Sequence, residues 1–242
     1  MKNLIHKLRV GKAGVLLTML SLVILTVLVF SVFRYYTETQ PVFGGPIYKG
    51  SKESKGIALT CNVDWGGEYL PDMLKILDAA GIKAAFFITG RWAENNSELL
   101  KLISDSGHII GNHGYSHNDH SKLDYSQNLS EIQRTQGIIE EIIGKTPEYF
   151  APPSGAYNKD TVRACEDLGC KVIMWSIDTI DWKKDGTERI IARVDKKMHG
   201  GGIVLMHPTD QTLEALPTII KNIRDRGFEI LSLEDLVKTI EN

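Results

Sequence analysis

The chain has 242 residues, a formal net charge of -2 and 43% hydrophobic residues. This charge balance excludes a typical nucleic-acid-binding domain, which would carry a clear basic excess. The length beyond an apolar N-terminal segment suits one compact domain with a full hydrophobic core, and we expect a monomer. The three cysteines resemble no disulfide framework, although a bridge between Cys165 and Cys170 is a possible alternative.

The first feature along the chain is the uncharged apolar run "AGVLLTMLSLVILTVLVFSVF", residues 13–33. A run of about 20 apolar residues is long enough to cross a bilayer as a helix. The basic residues before it favour a cytoplasmic N-terminus. We therefore predict a cytoplasmic tail (1–12), a single-pass anchor in the cell membrane (13–33), a stalk (34–55) and an extracytoplasmic domain (56–242). A cleaved signal peptide is the alternative, but no A-x-A-like cleavage site follows the run.

Short apolar runs alternate with helical patterns over the rest of the chain. The runs predicted as strands are "GIALTCNV", "KAAFFIT", "HIIG", "EYFAPP", "KVIMWSI", "GGIVLMH" and "FEILSL". Continuously apolar strands are typical of parallel sheets that are covered on both faces. The alternation predicts an α/β fold, a small or incomplete barrel of six or seven βα units, with its chemistry at the carboxyl ends of the strands.

Reactive side chains follow several of these predicted strands. They include Asp64, His113, His117, Asp178 and His207. Each has an ordinary explanation: an Asp after a strand usually makes a turn or caps a helix, and His-x-x-x-His is usually a chance pair. Because they recur at one rim of the predicted barrel, we favour an active site.

Two histidines four residues apart can face one point and donate imidazole nitrogens to a metal ion. Asp64 is the natural third ligand of an open three-ligand site, at which the metal would activate a water molecule. Two His and one Asp suit zinc, and also cobalt or nickel. His207 is the expected general acid, with Asp178 orienting its second ring nitrogen. We therefore predict Asp64, His113 and His117 as metal ligands.

At this point the sequence resembles the polysaccharide deacetylases with a NodB-homology domain, a carbohydrate esterase type. "HGYSH" is similar to that family's His-[Ser/Thr]-x-x-His motif, "APPSG" to Arg-x-Pro-[Tyr/Phe]-Gly, "DTIDW" to Asp-x-x-Asp-Trp and "LMH" to Leu-x-His. The resemblance implies a deformed (β/α) barrel of about seven βα units. It also implies a metal-dependent hydrolase that removes N-acetyl groups from GlcNAc-type sugars of peptidoglycan or a chitin-like polysaccharide. The membrane-anchored architecture resembles Gram-positive cell-wall and sporulation members.

The resemblance further implies a backbone N–H near Ser154 that stabilises the oxyanion, and a substrate-binding set at the same strand ends. That set is Asn62, Pro153, Ser154, Gly155, Tyr157, Asp181, Trp182 and Leu205.

Three positions depart from the family pattern. Asn62 stands where the family has its base Asp, so Asp64 aligns with the metal-binding Asp only if the loop holds one extra residue. Ala151 replaces the Arg that orients the base, and Gly114 replaces a Ser or Thr, which we interpret as a tolerable loss of a hydroxyl contact. An amide cannot act as a general base. Losing both charges together avoids leaving an unpaired buried cation.

Deprotonation of the attacking water would therefore fall to Asp64, Glu68 or His207. The main hypothesis is an active N-deacetylase. One alternative is a catalytically impaired relative that binds cell-wall glycan, and another is hydrolysis of a different amide or an ester.

Overall fold

The computed structural model divides the chain into two units, Met1–Phe43 and Gly44–Asn242. The residues it describes are Met19, Ser21, 23–28 and 45–241. The described residues of the first unit are helical. Most of the anchor predicted over 13–33, the tail predicted over 1–12 and the first part of the predicted stalk lie outside the described residues. Among those that are described, no helix has both the length and the apolar character needed to cross a membrane.

The second unit is built on one parallel sheet. Its strands are β1 (Gly56–Val63), β2 (Ala85–Ile88), β3 (Ile109–Asn112), β4 (Tyr149–Phe150), β5 (Lys171–Val172), β6 (Ile177–Asp178), β7 (Ile203–Met206) and β8 (Glu229–Ile230). The order is β5-β4-β3-β2-β1-β7-β6, and β8 pairs with β1. The sheet curls into an incomplete barrel, which agrees with the deformed (β/α) barrel expected from the sequence.

Eight helices of six or more residues are described in this unit. They are α1 (Leu70–Ala79), α2 (Gly90–Asn95), α3 (Ser97–Asp105), α4 (Tyr125–Ile143), α5 (Lys159–Asp167), α6 (Thr187–Lys197), α7 (Asp210–Asp225) and α8 (Leu233–Glu241). The longest, α4, begins at a capping box in which Asp124 and Gln127 bind each other's backbone N–H. It ends at Gly144, whose left-handed backbone stops the helix.

The run "KVIMWSI" does not form the single strand that its apolar character predicts. It divides into β5, which pairs with β4, and β6, which pairs with β7. One short run therefore supplies both edges of the curled sheet. The structure corrects this element because a continuous apolar run does not reveal a bend.

The segment preceding β1 is part of the folded unit. The Ile47 N–H donates to the Val172 carbonyl, and the Met174 N–H donates back to Ile47. Farther along, the Gly50 N–H donates to Gly201. The described part of the predicted stalk, residues 45–55, thus belongs to the domain, whose folded boundary lies well before residue 56.

Successive side chains of β1 point to opposite faces of the sheet, and this alternation explains where the polar site lies. Ile57, Leu59, Cys61 and Val63 join the large core between the sheet and the outer helices. The residues between them point into the curl: Ala58 packs in an inner apolar cluster that α8 closes. Farther along the same inner face come Thr60 and then Asn62, both buried. The curled sheet is therefore apolar inside at one end and polar at the carboxyl ends of its strands.

Candidate active site

A pocket of about 390 Å³ lies at the carboxyl ends of the strands. Its lining residues are Asn62, Asp64, Trp65, His113, His117, Ser154, Trp175, Asp178, Trp182, Leu205 and His207. The structure thus gathers all five predicted catalytic and metal-binding residues around one cavity. They come from β1, β3, β6 and β7 and the loops that follow them.

His207, directly after β7, is held by Asp181. The ring Nδ1 lies 2.7 Å from one Asp181 oxygen, and the His207 backbone N–H donates to the other oxygen at 2.6 Å. Because a carboxylate only accepts, Nδ1 carries the proton in the neutral ring. Nε2 is then the ring nitrogen left for a substrate, as a general acid or base requires.

Asp181 is fully buried beneath this histidine. The Thr212 hydroxyl donates a third hydrogen bond to it at 2.6 Å. Burial alone would raise the pKa of Asp181, but the hydrogen bonds from His207 and Thr212 outweigh it and hold the pKa below its ordinary value. Asp181 is therefore a carboxylate at neutral pH, and it accepts the Nδ1–H of His207.

Asp178 does not orient His207, so that prediction was wrong. One Asp178 oxygen accepts the Ile180 N–H at 2.8 Å, and the other accepts the Trp175 indole N–H at 3.3 Å. The chain turns between the two aspartates through Ile180, whose backbone is left-handed at φ 52°. The turn leaves Asp178 in the pocket wall and sends Asp181 beneath His207.

His113 follows β3 and is built like a metal ligand. Its Nδ1 donates to the Ala151 carbonyl at 2.7 Å, which leaves the lone pair on Nε2. Burial, together with repulsion from His117, lowers the pKa of His113 to about 3, so the ring is neutral at physiological pH. The His117 ring lies edge-on to it, with 5.1 Å between ring centroids.

Asp64, the third predicted ligand, lines the same pocket, but other groups occupy its carboxylate. The Thr89 hydroxyl and Arg91 Nε donate to one oxygen at 2.7 and 2.8 Å, and Arg91 Nη2 donates to the other. Burial would raise the pKa of Asp64, but these hydrogen bonds outweigh it and keep the pKa below its ordinary value.

Within the described part of the chain, no cluster of three or more His, Cys, Asp or Glu side chains is arranged to hold a metal. The two histidines suit a metal, but the carboxylate is already paired with a guanidinium. The predicted triad of Asp64, His113 and His117 therefore does not fit a three-ligand ion as arranged.

Asn62 occupies the inner face of β1 at the pocket. Its Oδ1 is buried without a hydrogen-bond partner, and an unpaired buried acceptor is costly. Ala151, the other position that departs from the family pattern, packs beside Phe87, Tyr149 and Ile173 in the inner apolar cluster. Glu68 is absent from the pocket lining, and Asp64 is paired with Arg91, so His207 is the remaining candidate among the three bases expected from the sequence.

The predicted substrate-binding residues divide into two groups. Those that line the pocket are Asn62, Ser154, Trp182 and Leu205. Those that do not are Pro153, Gly155, Tyr157 and Asp181. Tyr157 instead shares a 2.8 Å hydrogen bond with the hydroxyl of Tyr48, and Asp181 lies behind His207.

Four residues near the site were missed by sequence reasoning. Trp65 stacks on His207 with 6.0 Å between ring centroids and 7° between planes, and Trp175 lines the pocket from the segment between β5 and β6. Thr89 and Arg91 bind Asp64. Thr89 follows β2 directly, so its position at a strand end was a signal in the sequence. No sequence signal indicates that the long Arg91 side chain contacts Asp64.

The backbone conformation and the surroundings of Gly114 both restrict which residue can stand at this position. Its φ is +71°, and an added Cβ would lie 2.8 Å from His120 Nε2. Glycine is the residue that adopts this backbone without strain. The position therefore needs glycine, and our interpretation of a merely tolerated loss was incomplete.

An incomplete parallel barrel with an Asp–His pair and two further histidines at its strand ends defines a hydrolase-type site. The family model described as polysaccharide deacetylase matches residues 49–173. The chain therefore belongs to the polysaccharide deacetylase family.

Three known proteins illustrate what this chain is similar to. The uncharacterized protein YlxY of Bacillus subtilis (strain 168) is 40% identical over 87% of this chain and 66% of its own length, so the chain spans just under two thirds of that relative. The peptidoglycan-N-acetylmuramic acid deacetylase PdaA of the same organism is 30% identical over 78% of this chain and 74% of that protein. A CE4 family pseudoenzyme from Bacillus anthracis has a TM-score of 0.78 at 40% identity, covering 79% of this chain and 68% of that one.

Proposed function

We propose that this protein is a polysaccharide N-deacetylase that hydrolyses N-acetyl groups on the amino sugars of cell-wall polysaccharide. The observation that carries the proposal is the His207–Asp181 pair facing a pocket with tryptophans on its walls. Peptidoglycan deacetylase relatives support the substrate class.

The residues present account for the second half of an amide hydrolysis. The leaving amine needs a proton, and His207 Nε2 can deliver one because Asp181 holds Nδ1 and stabilises the imidazolium. Ser154, in the pocket wall with φ 55°, lies where a backbone N–H could bind the developing oxyanion. Trp65 and Trp182, both exposed, offer flat apolar faces to a sugar ring.

Activation of the attacking water is the weak point of the site. Asn62 cannot accept a proton, and Asp64 is paired with Arg91. These two observations favour a second candidate function, a pseudoenzyme that binds cell-wall glycan without hydrolysing it. The likeness to a CE4 pseudoenzyme supports this candidate as well.

Two measurements on one preparation separate these functions. Acetylated chitooligosaccharides and purified peptidoglycan would be assayed for binding by calorimetry and for acetate release. The deacetylase releases acetate in proportion to enzyme, whereas the pseudoenzyme binds and releases none. Analysis of peptidoglycan products for free amines on glucosamine and muramic acid then identifies the sugar. Neither binding nor release would contradict both functions.

We propose, finally, that the domain is anchored on the outer face of the cell membrane by residues 13–33, with the N-terminus in the cytoplasm. The support is the uncharged run and the basic residues before it. Protease added to wall-stripped intact cells should digest the domain and spare the anchor. Full protection of the domain would show the opposite topology, and release of the domain without protease would favour cleavage. A role in sporulation is tested separately by deleting the gene and counting heat-resistant spores.

A further inference from the structure

We propose that Arg91 is a built-in counter-ion for Asp64 that competes with a divalent metal for the pocket. In this structure the Arg91 guanidinium neutralises Asp64. A metal cation bound by Asp64, His113 and His117 would otherwise supply that positive charge. The inference concerns metal affinity, so it holds or fails independently of whether the protein hydrolyses a glycan.

The contact between Arg91 and Asp64 is a two-point contact. Nε donates to one carboxylate oxygen at 2.8 Å and Nη2 donates to the other, so the planar fork covers both oxygens. Bidentate pairs of this kind are shorter, stronger and more directional than single hydrogen bonds. Thr89 adds a further donor to the oxygen that Nε binds. The three donors therefore engage three of the roughly four lone-pair sites of the carboxylate.

The fold places Arg91 for this role. It lies at the start of α2, where the backbone N–H groups of Gly90 and Arg91 donate to the carbonyls of Gly114 and Tyr115. The helix is thereby tied to the loop that carries both histidines. Asp64 is only 12% exposed, whereas the Arg91 side chain is 49% exposed. The carboxylate is thus fixed in the pocket, and the guanidinium reaches it from the solvent side.

The histidines show the opposite arrangement. His113 has its Nδ1 bound by a carbonyl and its Nε2 lone pair left over, and the His117 ring lies beside it. Neutral imidazole in that state is the form that binds zinc, cobalt or nickel. The pocket therefore contains one histidine in a metal-binding form, a second histidine beside it, and a carboxylate that is already paired with a guanidinium. A dication bound beside the guanidinium would be repelled by it, so loading requires Arg91 to leave Asp64.

The test is metal binding by the chelator-treated protein, measured by calorimetry with Zn²⁺ and by the visible absorption of bound Co²⁺. Arg91→Met removes the charge and keeps the apolar stem. We expect it to bind either metal about 10- to 100-fold more tightly than the native protein, the range by which the partners of ligands tune metal affinity. Arg91→Gln, which keeps an amide donor, should show a smaller gain in the same direction.

Arg163→Met is the matched control, because Arg163 pairs with Asp167 on α5 outside the pocket; its metal affinity should equal that of the native protein. Adding His117→Ala to Arg91→Met should abolish the gain, which places the metal at this site. The proposal is overturned if both Arg91 variants fold and bind no more tightly than the native protein. It is equally overturned if the gain survives His117→Ala.

Discussion

Asp181 holds His207 at two points, through the backbone N–H and through the ring Nδ1, with one carboxylate oxygen for each. A single hydrogen bond would leave the ring free to rotate about it. Two bonds, together with the Trp65 ring stacked on the other side, fix both the position and the tautomer of the imidazole. The pair is therefore preorganised to transfer a proton at Nε2.

Removing this acid should abolish acetate release without removing the glycan site. His207→Ala should lower the rate about 10²- to 10⁴-fold, measured in the native protein or, if that is inactive, in Asn62→Asp with Ala151→Arg. Asp181→Asn should also lower it, because the ring loses the carboxylate that fixes its tautomer and position. Asp178→Asn is the comparison, since the Asp178 carboxylate accepts hydrogen bonds from Ile180 and Trp175 and not from His207. A His207→Ala variant that keeps more than about a tenth of the rate would contradict the acid assignment.

Restoring the two charges that the family has at positions 62 and 151 should change the unfolding free energy and the acetate release in a non-additive way. Ala151 is 3% exposed and packs among apolar side chains, so Ala151→Arg alone should cost about 1–3 kcal/mol of unfolding free energy through overpacking and an unpaired cation. Asn62→Asp should recover part of that cost in the double variant, which should also release more acetate than either single variant. Urea unfolding and acetate assays of all four proteins measure the coupling. Strictly additive effects would show that the two side chains do not meet.

Gly114 should tolerate no side chain. Gly114→Ala places a Cβ 2.8 Å from His120 Nε2 in a left-handed backbone, and the strain should cost about 1–3 kcal/mol of unfolding free energy. Gly137→Ala is the control: it lies within α4, and apart from the backbone of that helix nothing lies within 4 Å of the added Cβ. That change should stabilise the protein by about 0.5–1 kcal/mol. Equal effects of the two substitutions on urea unfolding would refute the argument.

The stacked Trp65 should contribute to glycan binding. Trp65→Ala should weaken chitooligosaccharide binding by about 2- to 10-fold, the equivalent of one aromatic contact, and Trp182→Ala should act in the same direction. Leu102→Ala, an exposed apolar residue of α3 outside the pocket, should change nothing. Calorimetry provides the affinities. Unchanged binding in both tryptophan variants would show that the two rings do not contribute to glycan binding.

Acid should destabilise the domain partly through His108. Burial lowers the pKa of His108 to about 4 from an ordinary value of 6.5. The unfolded chain therefore binds a proton that the folded chain excludes, so stability present above about pH 6.5 is lost as the pH falls toward 4. The slope from this group is at most about 1.4 kcal/mol per pH unit.

His108→Asn keeps an acceptor near the position of Nδ1, which receives the Ala84 N–H at 3.1 Å. Its unfolding free energy should fall less steeply than that of the native protein between pH 7 and 4.5. His113, with its pKa of about 3, keeps part of the slope in both proteins. Parallel pH dependences in urea unfolding would exclude the His108 contribution.

The sequence predicted the parallel sheet and most of the pocket because both depend on local pattern. Continuously apolar runs locate β1, β2 and β7, and the residues after them must lie at one rim. His113, His117 and His207 could be assigned on that basis alone. The same pattern could not separate Asp178 from Asp181, because the choice depends on a left-handed turn at Ile180. It could not predict the pairing of Asp64 with Arg91 either, since a long, half-exposed arginine side chain can reach many partners.

The two edge strands β5 and β6 do not pair with each other, and the gap between them affects how the pocket can change in shape. Met174 is hydrogen-bonded to Ile47 on one side, and Ser176 is hydrogen-bonded to Ile203 on the other. Trp175, between them, lines the pocket. Residues inserted at Trp175 would widen the groove without breaking a strand pairing, whereas an insertion within β1 would shift the alternation that separates core from pocket. Evolution can therefore change the width of the pocket at this point at little cost to folding.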